Sequence, residues 1–426
     1  MTSAPDTASS GKVLAADGTP LKRSLNRALR RQKIRALALI APLLIFVLVT
    51  FIAPIGDMLF RSVENQLISD NLPKTIALLD DWDASSSEPP SEEVFAAFAA
   101  DLQVAAGKKI HTRIGSRLNY ETPGLSSLFR KAGRKVKKWD IPNDGPYREK
   151  FEKIDEDFGD VKLWRTIQTY SSAYTNGYFL NSIDMQKGVD GAEMRPDNEK
   201  IYIKLFVRTM IMSMVITCSC ILLGYPVAWI LANLPSRTAN LLMILVLLPF
   251  WTSLLVRTSA WKIMLQQQGV INDVLVWIGL AADDNRLALI NNQTGTIIAM
   301  THILLPFMIL PLYSVMQTIS PTYLRAAKSL GANNWTAFWR VYFPQSVPGI
   351  GAGSILVFIL SIGYYITPEL VGGTKGVFIS NRIAFHISTS LNWGLAAALG
   401  AILLAMVMAL YWAYDKIVGI DNVKLG

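Results

Sequence analysis

The sequence predicts an all-α membrane protein with six transmembrane helices and one large, mostly helical polar segment between the first and second. Three observations carry this prediction. Of 426 residues, 51% are apolar and only 17% charged, with a mean hydropathy of +0.31, whereas roughly a quarter of an average soluble domain is charged. The apolar residues gather into six runs near the roughly 20 residues that a helix needs to cross the hydrocarbon core. A basic cluster stands directly before the first run, as membrane topology requires. Together these exclude a disordered chain and argue against a soluble enzyme.

The first run, 36–60, is interrupted only by Asp57 near its end. It exceeds the 7–15 residues of a signal-peptide core and no small-residue cleavage site follows, so it is expected to be an uncleaved anchor. Ahead of it, residues 1–35 form a basic tail: Lys12, Lys22, Arg23, Arg27, Arg30, Arg31, Lys33 and Arg35. Cations abutting a span stay inside, which places the N- and C-termini in the cytoplasm and the 61–200 segment outside. The remaining runs are 209–232, 239–261 (carrying Arg257), 296–316, 349–366 and 393–414. The stretch 270–280 is too short to cross and reads as an interfacial helix with Trp277 in the aromatic belt. Pro226, Pro249, Pro306 and Pro311 lie within runs, which suits kinked helices bundled around a path.

The net charge of +9 is not a nucleic-acid footprint. Residues 61–200 hold 20 Lys+Arg and 23 Asp+Glu, a net of −3, so the rest holds 21 and 9, a net of +12. The excess lies beside the spans, where it sets orientation and meets membrane lipid. Cys218 and Cys220 sit two apart in an apolar run and read as small packing residues. His111, His302 and His386 are scattered, so no metal cluster is expected.

Within the outer segment, Ser91 is expected to cap a helix over 92–106. That helix has Glu92 and Glu93 in its first turn and Phe95 and Phe98 on its apolar side. The basic stretch 125–139 reads as a solvated helix face, with anionic headgroups or an acidic partner as the functional alternative.

The most informative stretch is the loop 324–350, LRAAKSLGANNWTAFWRVYFPQSVPGI. At about 30 residues it is long for a connector. It reads as a first short helix ended by Gly331, then a second one capped by Asn333 or Asn334 and carrying Trp335, Phe338 and Val341. Pro344 and Pro348 are expected to stop the second helix and redirect the chain into the fifth span.

This loop resembles the "EAA" signature of permease subunits of bacterial ABC importers. Ala326, Ala327, Gly331, Phe338, Val341, Pro344 and Pro348 match its spacing, while Arg325 stands at the usual Glu position and Phe343 replaces Leu. The stretches 247–272, 224–232 and 364–383 resemble the first of the two permeases in spermidine/putrescine importers. Segment 63–160 has no counterpart in that resemblance, and 164–183 reads as the usual outer segment before the second span, enlarged.

The resemblance implies a six-helix importer permease of the bacterial inner membrane, divided into a tail (1–35), first helix (36–60), outer insertion (61–200) and core (201–426). It implies a heterodimer with a second permease, a dimeric ABC ATPase and a periplasmic substrate-binding protein; that the insertion helps to dock the binding protein is a separate hypothesis, outside the resemblance. The coupling loop, with Arg325, Ala326, Ala327, Gly331, Trp335, Phe338, Val341 and Pro344, would fit a cleft on the ATPase. No GxxxxGK[ST] loop exists, and Gly372-Gly373-Thr374-Lys375 has the wrong spacing. ATP and Mg are therefore expected on the partner, with no cofactor and no catalysis on this chain.

A polyamine path needs carboxylates and aromatic faces. Candidates are Asp57 and Glu369 with Trp251, Trp261, Tyr364 and Tyr365. Arg257 opposes a polycation unless it pairs with Asp57 or Glu369, and alone it would favour an opine, an amino-acid derivative or another small organic solute. A receptor or scaffold without transport is the alternative of another class.

Overall fold

The structure, a computed structural model, describes residues 21–141, 143–188 and 191–418. Lys12 of the basic tail and Lys424 at the C-terminus lie outside the described residues. The chain forms two compact units, 1–60 and 61–426. The first is one helical rod, basic over 22–35 and apolar beyond, Leu21–Val47 running through a π turn at Leu48–Ile52 into Ala53–Arg61. Its apolar side chains, among them Leu39, Leu43 and Val49, are exposed.

In the second unit, span two (Tyr202–Asn233), span four (Gln293–Thr318) and span five (Phe343–Gly363) pack against one another. Met300, Leu304, Met308, Leu312 and Met316 recur every four residues and meet Met212, Ile216, Cys220 and Ala228, also at multiples of four. Such rows interlock as ridges in grooves. Close approach depends on small residues. A Cβ at Gly353 would stand 2.6 Å from Met308 Sδ, and one at Gly224 would stand 3.1 Å from Met308 Cγ. Span six (Trp393–Val418) packs instead on Ile379–Ser388 and Gly177–Ser182. Cys220 is buried and Cys218 exposed, as their two-residue spacing dictates.

Two expectations are corrected. The third run is not one straight span. Ser236–Trp251 and Leu254–Met264 meet at 94°, so the described residues hold five single spanning helices and one bent pair. The 3-10 turn at Pro249 ends the first half. Ser253 restarts the second, its Oγ accepting from the Val256 N–H at 3.2 Å. Nor do Pro344 and Pro348 stop a helix. Asn334–Ala337 continues through a π turn, Phe338–Tyr342, straight into span five. The Phe343 N–H reaches back to the Phe338 carbonyl. This wide turn falls where proline removes the next donor, so the backbone absorbs the loss without breaking.

The segment before span two is a helical lobe. Phe95, Phe98, Phe129, Phe151, Phe158 and Trp164 are fully buried, with ring centroids 4.6 Å apart for Phe95–Trp164 and 4.8 Å for Phe151–Phe158. Such aromatic payloads give a small domain a core without disulfides. The helix Glu92–Gly107 forms as expected, but Ser91 Oγ does not cap it. The Glu92 carboxylate instead accepts from the Tyr147 and Arg148 N–H groups at the start of the helix Tyr147–Glu152. The core runs on through Trp164, Ile167 and Tyr170, so the lobe extends beyond 160. Its two ends meet: the Asn65 N–H donates to Ala173 O and the Thr175 N–H to Val63 O, both at 2.8 Å. A short hairpin, Met185–Lys187 with Ala192–Met194, follows.

Candidate functional site: the 319–342 loop and the lobe-end cluster

Spans two, four and six each begin at the lobe end of the bundle. The Asp184 carboxylate accepts the Ile201, Tyr202 and Ile203 N–H groups at 2.8–2.9 Å, capping span two and matching its positive end. Tyr178 packs on Gly394 where span six begins, and Tyr120 Oη donates to Ser390 O. Beneath them lies a buried ion network. Glu121, 4% exposed, takes Arg117 at 2.8 Å, Arg195 at 3.5 Å and the Asn181 amide at 3.0 Å. The Arg117 guanidinium also stands 4.4 Å from the Tyr178 ring centroid. Lobe and spans are thus joined by polar contacts as well as packing, with Arg117 Nη2 and Arg195 Nε left buried and without a hydrogen-bond partner among the described residues.

The 319–342 loop lies at the opposite end, between the close of span four and the start of span five. Ser320 caps Pro321–Ser329, its Oγ accepting from the Thr322 N–H at 3.3 Å. Gly331 turns the chain at φ +89°, a conformation glycine adopts without cost. Asn333 then caps the next helix, its Oδ1 accepting from the Thr336 N–H at 2.7 Å. Arg325, Ala326 and Gly331 are exposed, Ala327 and Val341 are partly buried, and Pro344 is exposed.

The loop's apolar groups divide sharply. Trp335 is 71% exposed and Leu330 89%. Phe338 turns inward, stacking on Tyr342 at 5.9 Å and meeting Tyr225 edge-on at 6.2 Å. Of the two aromatics singled out from the sequence for docking, Trp335 faces outward and Phe338 anchors the helix to span two. Leu330 and Tyr323 belong to the same bare tip. Exposed apolar groups this large at a helix turn mark a contact surface.

At the lobe end, Tyr365 and Glu369 are drawn together by Asn381, whose Nδ2 donates to Tyr365 O at 2.8 Å and to Glu369 Oε2 at 2.7 Å. Ser380 Oγ donates to Tyr364 O. Trp261 Nε1 donates to His302 Nδ1 at 3.1 Å, and Arg257 lies within electrostatic reach of His302 and Tyr364. A Thr258–Thr367 hydroxyl contact at 3.0 Å locks the two helices together. Arg257 forms no ion pair with Glu369, and its buried Nε has no hydrogen-bond partner among the described residues. Trp251 stands 79% exposed at the bend, apart from this cluster. Asp57 lies in Ala53–Arg61 of the first unit. Asn381, His302, Thr258 and Thr367 escaped the sequence reading. Single polar residues inside apolar runs carry no spacing signal, and only the fold brings them together.

A family model described as "Binding-protein-dependent transport system inner membrane component" matches residues 224–418. The chain is 34% identical over 222 residues to the spermidine/putrescine transport system permease protein PotB of Salmonella typhimurium (strain SL1344), covering 51% of this chain and 77% of that protein. It is 33% identical to the protein of the same name from Escherichia coli (strain K12), covering 51% and 80%. Among solved structures, a bacterial alginate ABC transporter bound to an alginate pentasaccharide-loaded periplasmic protein aligns with a TM-score of 0.41 at 18% identity, over 51% of this chain and 78% of that one.

Proposed function

The chain belongs to the family of inner membrane components of binding-protein-dependent transport systems, the permease subunits of ABC importers, and from that premise we propose that it forms the translocation path for polyamines of the spermidine/putrescine type. The observation that carries the solute is the 33–34% identity to two permeases named for spermidine and putrescine, over more than three quarters of their length. In this reading the path uses Glu369, Tyr364, Tyr365 and Trp261, a carboxylate among aromatic faces suited to a flexible polycation. Asp57 and Trp251 are its remaining candidates.

The permease works with a second permease, a dimeric ATPase that binds ATP and Mg, and an extracytoplasmic solute-binding protein. Its termini and the 319–342 loop face the cytoplasm. The Leu330–Trp335 tip enters a cleft on the ATPase. Because the Asn333-capped helix is continuous with span five, a push on Trp335 moves that span as a rigid body, without a hinge to absorb it. Closure of the ATPase dimer on ATP thereby switches the path between its two openings.

The test is ATP-dependent uptake of labelled spermidine by proteoliposomes holding both permeases and the ATPase, with the solute-binding protein supplied. Accumulation above an ATP-free control supports the reading, and no accumulation defeats it. Arg257 favours a second reading, an opine or amino-acid derivative. A guanidinium beside Tyr364, without an acid partner among the described residues, suits a solute carboxylate. Competition of uptake by such compounds rather than by putrescine would establish it.

A further inference from the structure

The lobe carries a polarised surface that transport through the spans does not use. Residues 80–93 hold six acids and no Lys or Arg, whereas 125–139 hold six Lys and Arg and no acid. The helix Leu125–Val136 commits Leu128, Phe129, Ala132 and Val136 to the core, so its cations occupy the opposite face. That face borders a groove of about 540 Å³ lined by Lys131, Arg134, Lys135, Lys150 and Lys153, with the Trp139 ring among them. Lys150 Nζ stands 5.4 Å from the Trp139 ring centroid. Lys131, Lys150 and Lys153 are offset by Asp155, Asp144 and Glu149. Arg134 and Lys135 have no acid partner among the described residues. Two uncompensated cations beside an aromatic ring make a surface that gains by meeting acids.

We infer that this groove is the docking surface for an acidic face of the soluble protein that delivers the solute. The inference rests on the binding-protein-dependent reading above and adds where the partner lands. Its occupant follows from charge and position. The lobe meets the spans through Tyr120, Tyr178 and Asp184. Trp139 lies past the far end of a helix of 12 residues, about 18 Å long at 1.5 Å per residue. Asn119 Oδ1 accepts from the Gly124 and Ser126 N–H groups and holds the start of that helix beside Tyr120, so the groove stands about a helix length from that contact with the spans, a separation that favours a soluble partner. The Glu121 network and the Asp184 cap tie the lobe to spans two and six, so a load on the groove reaches the bundle.

The experiment compares the wild-type transport complex with complexes carrying Arg134→Glu plus Lys135→Glu, or Arg134→Gln plus Lys135→Gln. ATPase stimulation is titrated with the solute-binding protein at low and high salt. Both residues are exposed, so folding is preserved. The Glu pair is expected to raise the half-maximal concentration by about tenfold with an unchanged plateau, the Gln pair to fall between, and salt to narrow the gap. A half-maximal concentration unmoved by the Glu pair overturns the docking site and leaves the transport reading intact. A wild-type complex without ATP-dependent uptake overturns the transport reading, and this inference with it. If the Glu pair alters only binding to anionic-lipid vesicles, the groove is a lipid site and the inference is overturned.

Discussion

At the scale of single residues, those that position the machinery are mostly those that sequence patterns do not mark. Asp184 stands outside any periodic run, yet its 1%-exposed carboxylate closes three N–H groups at the head of span two. Asp184→Ala leaves these donors unpaired, the Tyr202 N–H among them buried, and is expected to cost about 2 kcal/mol, read as a lower melting temperature of the purified chain. Gly331 was legible from spacing alone, and its φ of +89° supplies the reason. A Cβ at this position would meet no atom within 4 Å, so Gly331→Asp is opposed by backbone conformation alone and costs about 1 kcal/mol. It is expected to tilt the tip and lower ATPase co-purification while insertion is normal. Trp335→Ala with Leu330→Ala should do the same, whereas Phe338→Ala should lower thermal stability, because Phe338 is an anchor. His386 sets a pH dependence. Burial, aided by nearby Arg382, holds its imidazole down at about 4 while Tyr202 Oη and Ser390 Oγ engage both nitrogens. The unfolded chain takes up this proton near pH 6.5 and the folded chain does not. Stability from this site is therefore full above pH 6.5 and falls by about 3 kcal/mol as pH drops towards 4. His386→Gln should flatten the melting-temperature profile across that window, and an unchanged slope would refute the assignment.

At the scale of elements, existence was legible and continuity was not. Apolar runs of about 20 residues announce helices, but an apolar run looks the same whether the helix inside it is straight or broken. Ser236–Trp251 and Leu254–Met264 therefore read as one span, although Pro249 and the Ser253 cap turn the chain by 94°. The converse error, stopping a helix at Pro344, has the same root. Proline ends a helix when its lost hydrogen bond cannot be absorbed, and the π turn at Phe338–Tyr342 absorbs it. The same device recurs in the first unit, where Leu48–Ile52 is a π turn, the Ala53 N–H reaches Leu48 O and Pro54 comes at once after it. Each π turn inserts one residue into the α register and so rotates the helix on its N-terminal side by about 100° relative to the helix on its C-terminal side. Pro344→Ala restores the donor that favours regular α pairing. It is expected to turn the Trp335 face away from its contact, lowering transport-coupled ATP hydrolysis several-fold at normal expression. Distances between spin labels at Trp335 and on span four would report the rotation.

At the scale of the whole molecule, the lobe and the five later membrane segments form one compact unit, although the family match covers only residues 224–418. The sequence showed the lobe as a polar, weakly helical interruption. Its true limits were hidden because the segment that closes the core, Val161–Thr169, looks like any amphipathic helix. Cutting at 160 would strand Trp164, whose ring fills the core and whose Nε1 donates to Phe158 O at 3.0 Å. The fold supplies a better seam, since residues 63–65 pair with 173–175 and bring the lobe's ends side by side. Replacing 66–172 by a short Gly-Ser turn removes the aromatic core entire and retains the Asp184 cap and the Tyr178–Gly394 contact. Arg195 and Asn181 lose Glu121, a partly buried loss of about 1–3 kcal/mol. This chain is therefore expected to insert and purify as a single species, melting a few degrees lower. A deletion of residues 63–161, by contrast, leaves the surface around Trp164 and Ile167 bare and is expected to aggregate. Size-exclusion profiles of the two chains in one detergent decide the matter: equal monodispersity would mean that 161–172 does not belong to the lobe core, and equal aggregation would mean that the spans need the lobe in order to fold.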